Sequence, residues 1–297
     1  MKPEPAGNRH LFQSSRQYSL GIYEKAMPPS LTLAEKLEAA ARYGYDFMEL
    51  SIDESDEKLA RLEASAQWDR ELVQAAQDAG IRILTMCLSG HRRYPIGSAD
   101  PNIRARGMEI MEGAILLAVD LGVHIIQIAG YDAYYEPSTE TTQALFAENL
   151  AKSVEIAARH GVILAFETME TPFMNTVEKA LRLVRHIDSP FLQIYPDVGN
   201  VTNAFEGDAV RAARDIMGGA GHLVALHLKE TKPGIFREVP YGQGHVDFDA
   251  CIEAAFAAGA RMFTSEFWYR KDADWELELE RTCAFFRTKL DRISRGA

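Results

Sequence analysis

Five times along this chain an amphipathic stretch ends in glycine and passes at once into a short apolar run. The stretches are TLAEKLEAAARYG, DRELVQAAQDAG, NIRARGMEIMEGAILLAVDLG, AENLAKSVEIAARHG and FDACIEAAFAAG. Glycine there supplies the left-handed residue that closes a helix and turns the chain into a strand. Asp100-Pro101 adds an N-cap and a first-turn proline to the third helix, and Asp247 caps the last. The apolar runs are YSLGIY (18–23), FMELSI (47–52), IRILTMCLS (81–89), VHIIQIAG (123–130), VILAFE (162–167), LQIYPD (192–197), LVALHLKE (223–230) and RMFTSEF (261–267). They are apolar on both faces of the pleat over most of their length, as strands of a buried parallel sheet are. Eight strands and about eight helices, alternating at a spacing of about 35 residues, favour a closed barrel over an open doubly wound sheet. No G-x-G-x-x-G follows the first strand, so the dinucleotide-binding version lacks its phosphate turn. The expectation is an α/β fold, a single (β/α)8 TIM barrel over residues 18–297. Residues 1–17 read as a flexible N-terminal extension.

Composition narrows the partners. The 32 basic and 43 acidic residues leave a formal charge of −11, against the clustered cations that a nucleic-acid surface needs. A small anionic substrate in a local basic pocket stays compatible with that balance. Mean hydropathy is −0.18, and no apolar run reaches the roughly 20 residues that span a bilayer. MKPEPAGNRHLFQSSRQ lacks the apolar core of a signal peptide. Cys87, Cys251 and Cys283 are odd in number and show no C-x-x-C spacing, so no disulfide framework is implied. The reading is a reduced, cytoplasmic protein of enzyme size, with neither nucleic acid nor membrane as partner.

In a barrel of this kind chemistry sits at the C-terminal ends of the strands. Polar residues that close an otherwise apolar run are therefore the informative ones. Strand five ends in Glu167, strand six in Asp197, strand seven carries His227 and strand eight ends in Glu266. Successive members stand about one βα unit apart, so all four converge on the barrel mouth. A lone Glu or His at a strand end is ordinarily a cap or an ion-pair partner. Four on consecutive strands are different, because three carboxylates together repel unless a cation or protons neutralise them. The set suits one divalent ion, Mn²⁺ first or Mg²⁺, with Zn²⁺ and Co²⁺ also accommodated.

Other rim positions carry a weaker signal. Arg92 and Arg93 follow strand three, where they either hold an anionic group or face solvent. Glu24, Lys25, Glu49 and Asp53 lie on the same rim. Lys229, Lys232 and Arg237 belong to KETKPGIFREVPYGQGHVDF, a Gly- and Pro-containing loop suited to shaping a substrate pocket. Tyr131, Tyr134, Tyr135, Trp268 and Tyr269 read as rim aromatics or as walls of a sugar pocket. His124, His160, His186 and His222 lie on the opposite, structural face, and Cys87 reads as a small core residue.

The segments LGIYEKA, MCLSGHRRYPIGS, QIAGYDAYYE, YPDVGN and HLKETKPGIFREVPYGQGHVDF closely resemble the L-ribulose-5-phosphate 3-epimerases, within the xylose-isomerase-like barrels. The likeness runs from about Tyr18 to the C-terminal helix. It implies a metal-dependent epimerase interconverting L-ribulose 5-phosphate and L-xylulose 5-phosphate in L-ascorbate and pentose breakdown. Glu167 and Glu266 would be the acid/base pair as well as metal ligands, with Asp197 and His227 completing the metal set. Arg237, ahead of Pro240-Tyr241-Gly242-Gln243-Gly244, matches an arginine that contacts substrate in related enzymes. Related epimerases of unphosphorylated ketoses commonly carry histidine three residues after the strand-six aspartate. Asn200 stands there instead, as in the phosphopentulose branch. Arg92, Arg93 and Lys232 are candidates for the phosphate, with Lys229 and Asn200 as further substrate contacts, and homodimerisation is compatible with the barrel. The chemistry expected is removal of the C3 proton and its return to the opposite face through an enediolate. Three rivals share parts of this pattern: an aldose–ketose isomerase on the same metal site, an endonuclease IV-like phosphodiesterase and a non-catalytic sugar-phosphate sensor. The second needs three zinc ions and many more histidines, and the intact carboxylate/His set argues against the third.

Overall fold

A computed structural model describes residues 16–296. The extension expected over residues 1–17 therefore lies, as far as residue 15, outside the described residues. Eight parallel strands form one sheet: β1 Ser19–Tyr23, β2 Phe47–Ile52, β3 Arg82–Leu88, β4 Ile125–Ala129, β5 Ile163–Glu167, β6 Leu192–Ile194, β7 Leu226–Leu228 and β8 Met262–Ser265. Their order is β6-β5-β4-β3-β2-β1-β8-β7. Between the two ends, Val224 N donates to Ile194 O at 3.0 Å and His227 N to Pro196 O at 2.9 Å. Two isolated parallel bridges, Ile194 to Leu223 and Asp197 to His227, complete the seam. The sheet thus closes on itself, the (β/α)8 barrel that the alternation predicts.

Ten α-helices are found among the described residues: α1 Leu33–Arg42, α2 Asp56–Leu59, α3 Ala66–Ala79, α4 Pro101–Leu121, α5 Glu140–His160, α6 Val177–Ile187, α7 Val198–Ala204, α8 Ala209–Gly218, α9 Phe248–Ala257 and α10 Trp275–Ser294. The short α2 and α7 exceed the expected count because one or two turns show no hydrophobic periodicity to read. The punctuating glycines take the expected conformation. Gly122 closes α4 at φ 69°, where a side chain would strain the backbone by roughly 1 kcal/mol. β6 is shorter than its apolar run, since Pro196 has no N–H to donate and α7 begins immediately after Asp197. No helix among the described residues is long and apolar enough to cross a membrane.

The strands contribute Leu20, Ile22, Met48, Leu50, Met86, Leu88, Ile126, Ile128 and Leu164 to one continuous buried core with the helices. Burial of that apolar area holds the frame together. The exceptions inside the sheet are polar and also buried, among them Glu49, Thr85, Gln127, His227 and Thr264.

Candidate active site and metal centre

The four residues singled out at strand ends come together. Glu167 is the last residue of β5, Asp197 caps α7, His227 is central in β7 and Glu266 follows β8. One donor atom from each lies within 4.8 Å of the others, and all four side chains are buried. His227 Nδ1 is 2.9 Å from Glu266 Oε2 and 3.7 Å from Glu167 Oε1. Lys229 Nζ lies 3.2 Å from Asp197 Oδ2 and 3.7 Å from Glu266 Oε2. Asp197 divides its oxygens: Oδ1 accepts from Asn200 N at 2.6 Å and so starts α7, while buried Oδ2 has no well-directed hydrogen bond. Glu266 Oε2 is likewise buried without one. Three carboxylates and an imidazole, two of their anionic oxygens buried without a well-directed hydrogen bond, fit a divalent cation by their donor chemistry.

The environments of the two glutamates differ. Burial and the nearby Glu266 charge push the Glu167 carboxyl up, against the pull of His227 and Lys229. Burial also penalises ionised Glu266, but Lys229 and His227 outweigh it and hold that carboxyl well below the usual range. Asp197 is raised by burial, only partly countered by Lys229. Burial opposes charge on His227, yet Glu49 and Glu266 raise it well above its ordinary value. Pairs pushed apart in this way are typical of acid/base sites.

Above the cluster lies a cavity of about 60 Å³, room for only a few waters. Its walls include Tyr23, Lys25, Cys87, Arg92, Glu167, Glu170, Asn200, Lys229, Phe236, Arg237, Glu266 and Trp268. The β7–α9 loop roofs it. Tyr241 OH donates to Leu228 O at 2.6 Å, and buried Glu230 accepts from the N–H groups of Thr231, Gly242 and Val246. Gly244 passes so close that an added Cβ would stand 2.1 Å from Glu230 Oε1. A larger cavity, about 420 Å³ between this loop and α10, shares Lys229, Glu266 and Trp268 with the first.

Of the expected substrate contacts, Arg237, Arg92, Lys229 and Asn200 line the smaller cavity. Arg237 stacks over Trp268 at 5.4 Å and, among the described residues, has no carboxylate within ion-pair distance. Arg92 lies 5.0 Å from the Tyr134 ring centroid and donates to Tyr131 OH at 3.3 Å, near Glu54. Asn200 Nδ2 donates to Thr168 O at 2.7 Å, so its amide also anchors the start of α7. Arg93 and Lys232 stand outside the cavity. Arg93 turns outward to Asp56 at 2.7 Å, and Lys232 is exposed in a tight turn with Ile235. Lys25 is ion-paired with Asp53. Glu24 is drawn away from the rim into a buried clasp with Lys36, Lys58 and Arg61, leaving it no role at the mouth. Cys87, expected in the core, is buried but edges the cavity.

Three polar residues, Glu49 and Gln127 buried and Glu170 partly so, exceed what the strand ends identify. Gln127 Nε2 lies 2.9 Å from His227 Nδ1, Glu49 Oε1 lies 2.6 Å from His227 Nε2, and Glu170 accepts from Tyr131 OH at 2.6 Å. The available signal was a polar residue in mid-strand: Glu in FMELSI and Gln in IIQIA break runs that are otherwise buried.

Residues 37–289 match the family described as the xylose isomerase-like TIM barrel. A solved structure of L-ribulose 3-epimerase superposes with a TM-score of 0.75 at 23% identity, covering 94% of this chain and 96% of that one. A D-psicose 3-epimerase, crystallised in the presence of D-fructose, gives 0.75 at 19%, covering 92% and 99%. These two show the fold. The chain is therefore a xylose isomerase-like barrel. Sequence takes the assignment further. The chain is 42% identical over 277 residues to L-ribulose-5-phosphate 3-epimerase UlaE of Shigella flexneri, covering 93% of this chain and 96% of the relative. It is 45% identical over 255 residues to the enzyme of that name from Salmonella paratyphi A, covering 86% and 88%. It belongs to the L-ribulose-5-phosphate 3-epimerase family and is an enzyme of the isomerase class.

Proposed function

We propose that this protein is a metal-dependent, cytoplasmic 3-epimerase that interconverts L-ribulose 5-phosphate and L-xylulose 5-phosphate. The observation that carries the reading is the pair Glu167 and Glu266, which border one cavity beside a buried four-donor cluster and feel opposite electrostatic environments. Glu167, Asp197, His227 and Glu266 would hold the cation, Mn²⁺ in the first instance. When bound, it supplies Lewis-acid stabilisation of the charge that develops as C3 loses its proton. Glu266, kept ionised by Lys229, removes the C3 proton from one face, and Glu167 returns one to the other. For the opposite epimer the roles exchange. Lys229 holds Asp197 and Glu266 in register, and the loop roof keeps water from the reactive intermediate.

The substrate's anionic end falls to Arg237, the wall cation without a carboxylate partner, with Arg92 beside it. A phosphorylated pentulose exceeds the closed cavity, so the β7–α9 loop lifts to admit it and joins the two cavities. Incubation with L-ribulose 5-phosphate and Mn²⁺ in D₂O, followed by NMR, tests this reading. Deuterium at C3 together with L-xylulose 5-phosphate is the expected result. Deuterium at C1 with aldose formation would overturn it in favour of an isomerase.

A further inference from the structure

The sequence places Glu49 only on the barrel rim, yet it is fully buried in mid-strand beneath the donor cluster. We infer that Glu49 is a positioning residue for the metal centre, taking the Nε2–H of His227 and so presenting Nδ1 to the cation. This rests on the reading that Glu167, Asp197, His227 and Glu266 hold a divalent ion.

The geometry is specific. Glu49 Oε1 lies 2.6 Å from His227 Nε2, while Nδ1 faces Glu266 at 2.9 Å and Glu167 at 3.7 Å. With Thr85 on its Oε2, Glu49 takes the Nε2–H of His227 at Oε1, and Nδ1 is the ring nitrogen turned to the donor cluster, with the Gln127 amide 2.9 Å from it. Glu49 is itself held. Thr85 Oγ1 donates to its Oε2 at 2.8 Å, and a register shift between Met48 and Glu49 sets Thr85 directly across from it on β3. Such irregularities re-aim side chains beside active sites. Tyr195 packs edge-on against the imidazole at 4.8 Å, with its hydroxyl tied to Thr264 at 2.5 Å. Thr85, Glu49 and His227 therefore form a chain from the barrel interior to the donor cluster. A carboxylate behind a metal-bound imidazole fixes the ring and raises its basicity, and its loss typically costs 10- to 100-fold in metal affinity.

Co²⁺ titration of the chelator-stripped protein, followed by visible absorption, tests the inference with Glu49→Gln and Thr85→Val. Glu49→Gln keeps the shape and removes the charge. The expected result is a 10- to 100-fold weaker Co²⁺ affinity, with epimerase activity recovered at saturating Co²⁺. In the zinc-loaded, ¹⁵N-histidine protein, the His227 Nε2–H proton should move upfield in the variant. Thr85→Val keeps the carboxylate but frees it, and should weaken binding about threefold, less than Glu49→Gln because the lost bond acts on the metal only through Glu49. Wild-type affinity and an unmoved Nε2–H in a folded Glu49→Gln protein would overturn the role of Glu49 and leave the metal reading standing. If Glu49→Gln does not fold, Thr85→Val decides, and unchanged Co²⁺ affinity there overturns the role. A wild-type protein that binds no Co²⁺ would overturn the metal reading, and the role of Glu49 with it.

Discussion

His91 offers a sharp test of how the strand-three turn is held. It sits in the short 3-10 turn Gly90–Arg92, fully enclosed, with Nε2 3.1 Å from Gly107 O on α4. Because a carbonyl only accepts, His91 donates from Nε2, and its burial favours the neutral ring. Burial lowers its pKa from 6.5 to about 4, with the Gly107 bond opposing only in part. The unfolded chain binds a proton near 6.5, and the folded protein does not until about 4. Between those values the unfolded state holds more protons, so stability falls as pH falls, at up to about 1.4 kcal/mol per unit. Integrated over that window the loss is on the order of 3 kcal/mol, and below about pH 4 this contribution levels off. Urea unfolding of wild type and His91→Gln, at steps from about pH 7 to pH 4, isolates the effect from titrating carboxylates. Glutamine retains an N–H for Gly107 O but has nothing to titrate. The stability difference between the two proteins should change by about 3 kcal/mol across the window, wild type losing more as acid is added. A difference constant to within about 0.5 kcal/mol would refute the reasoning. Activity should follow, since the same turn presents Arg92 to the cavity.

Further outcomes are expected. Glu24 is buried among Lys36, Lys58 and Arg61. Burial penalises its charge, but Arg61 and the lysines outweigh that and bring it down to about 2. Its contribution is present above the unfolded value of 4.5 and is lost as pH falls toward 2. Glu24→Gln at neutral pH should cost about 3 kcal/mol in urea unfolding, and a loss below about 1 kcal/mol would contradict the clasp. Glu266→Gln should retain measurable Mn²⁺ binding yet abolish wash-in of deuterium at C3. Exchange at the wild-type rate would defeat its assignment as base. Arg237→Met should raise KM for the phosphorylated substrate by tenfold or more with a smaller effect on kcat, the pattern of a lost charged contact. An unchanged KM would move the phosphate elsewhere. Adding Mn²⁺ at about 100 times its Kd to stripped protein should raise unfolding free energy by about 2.7 kcal/mol, read as an upward shift in Tm. No shift would count against the centre.

Much was legible in the sequence because local rules governed it. Glycine after each amphipathic stretch favours a left-handed residue, and short two-faced apolar runs suit buried strands, so the alternation favoured a barrel. A barrel brings its strand ends together, so Glu167, Asp197, His227 and Glu266 were readable as one cluster before any contact was known. What tertiary structure alone decided was how rim charges are paired off. Arg92, Arg93 and Lys232 look alike in sequence, yet one stacks on tyrosine beside the cavity and two face outward. Glu24 follows β1 and Glu49 lies within β2, but three cations from α1, α2 and the turn after α2 claim the first, whereas register across β2 and β3 directs the second to His227. Chain order states which strand a residue belongs to. The partner that neutralises a buried charge stands anywhere from 12 to 178 residues away in the chain, and only the folded barrel brings the two together.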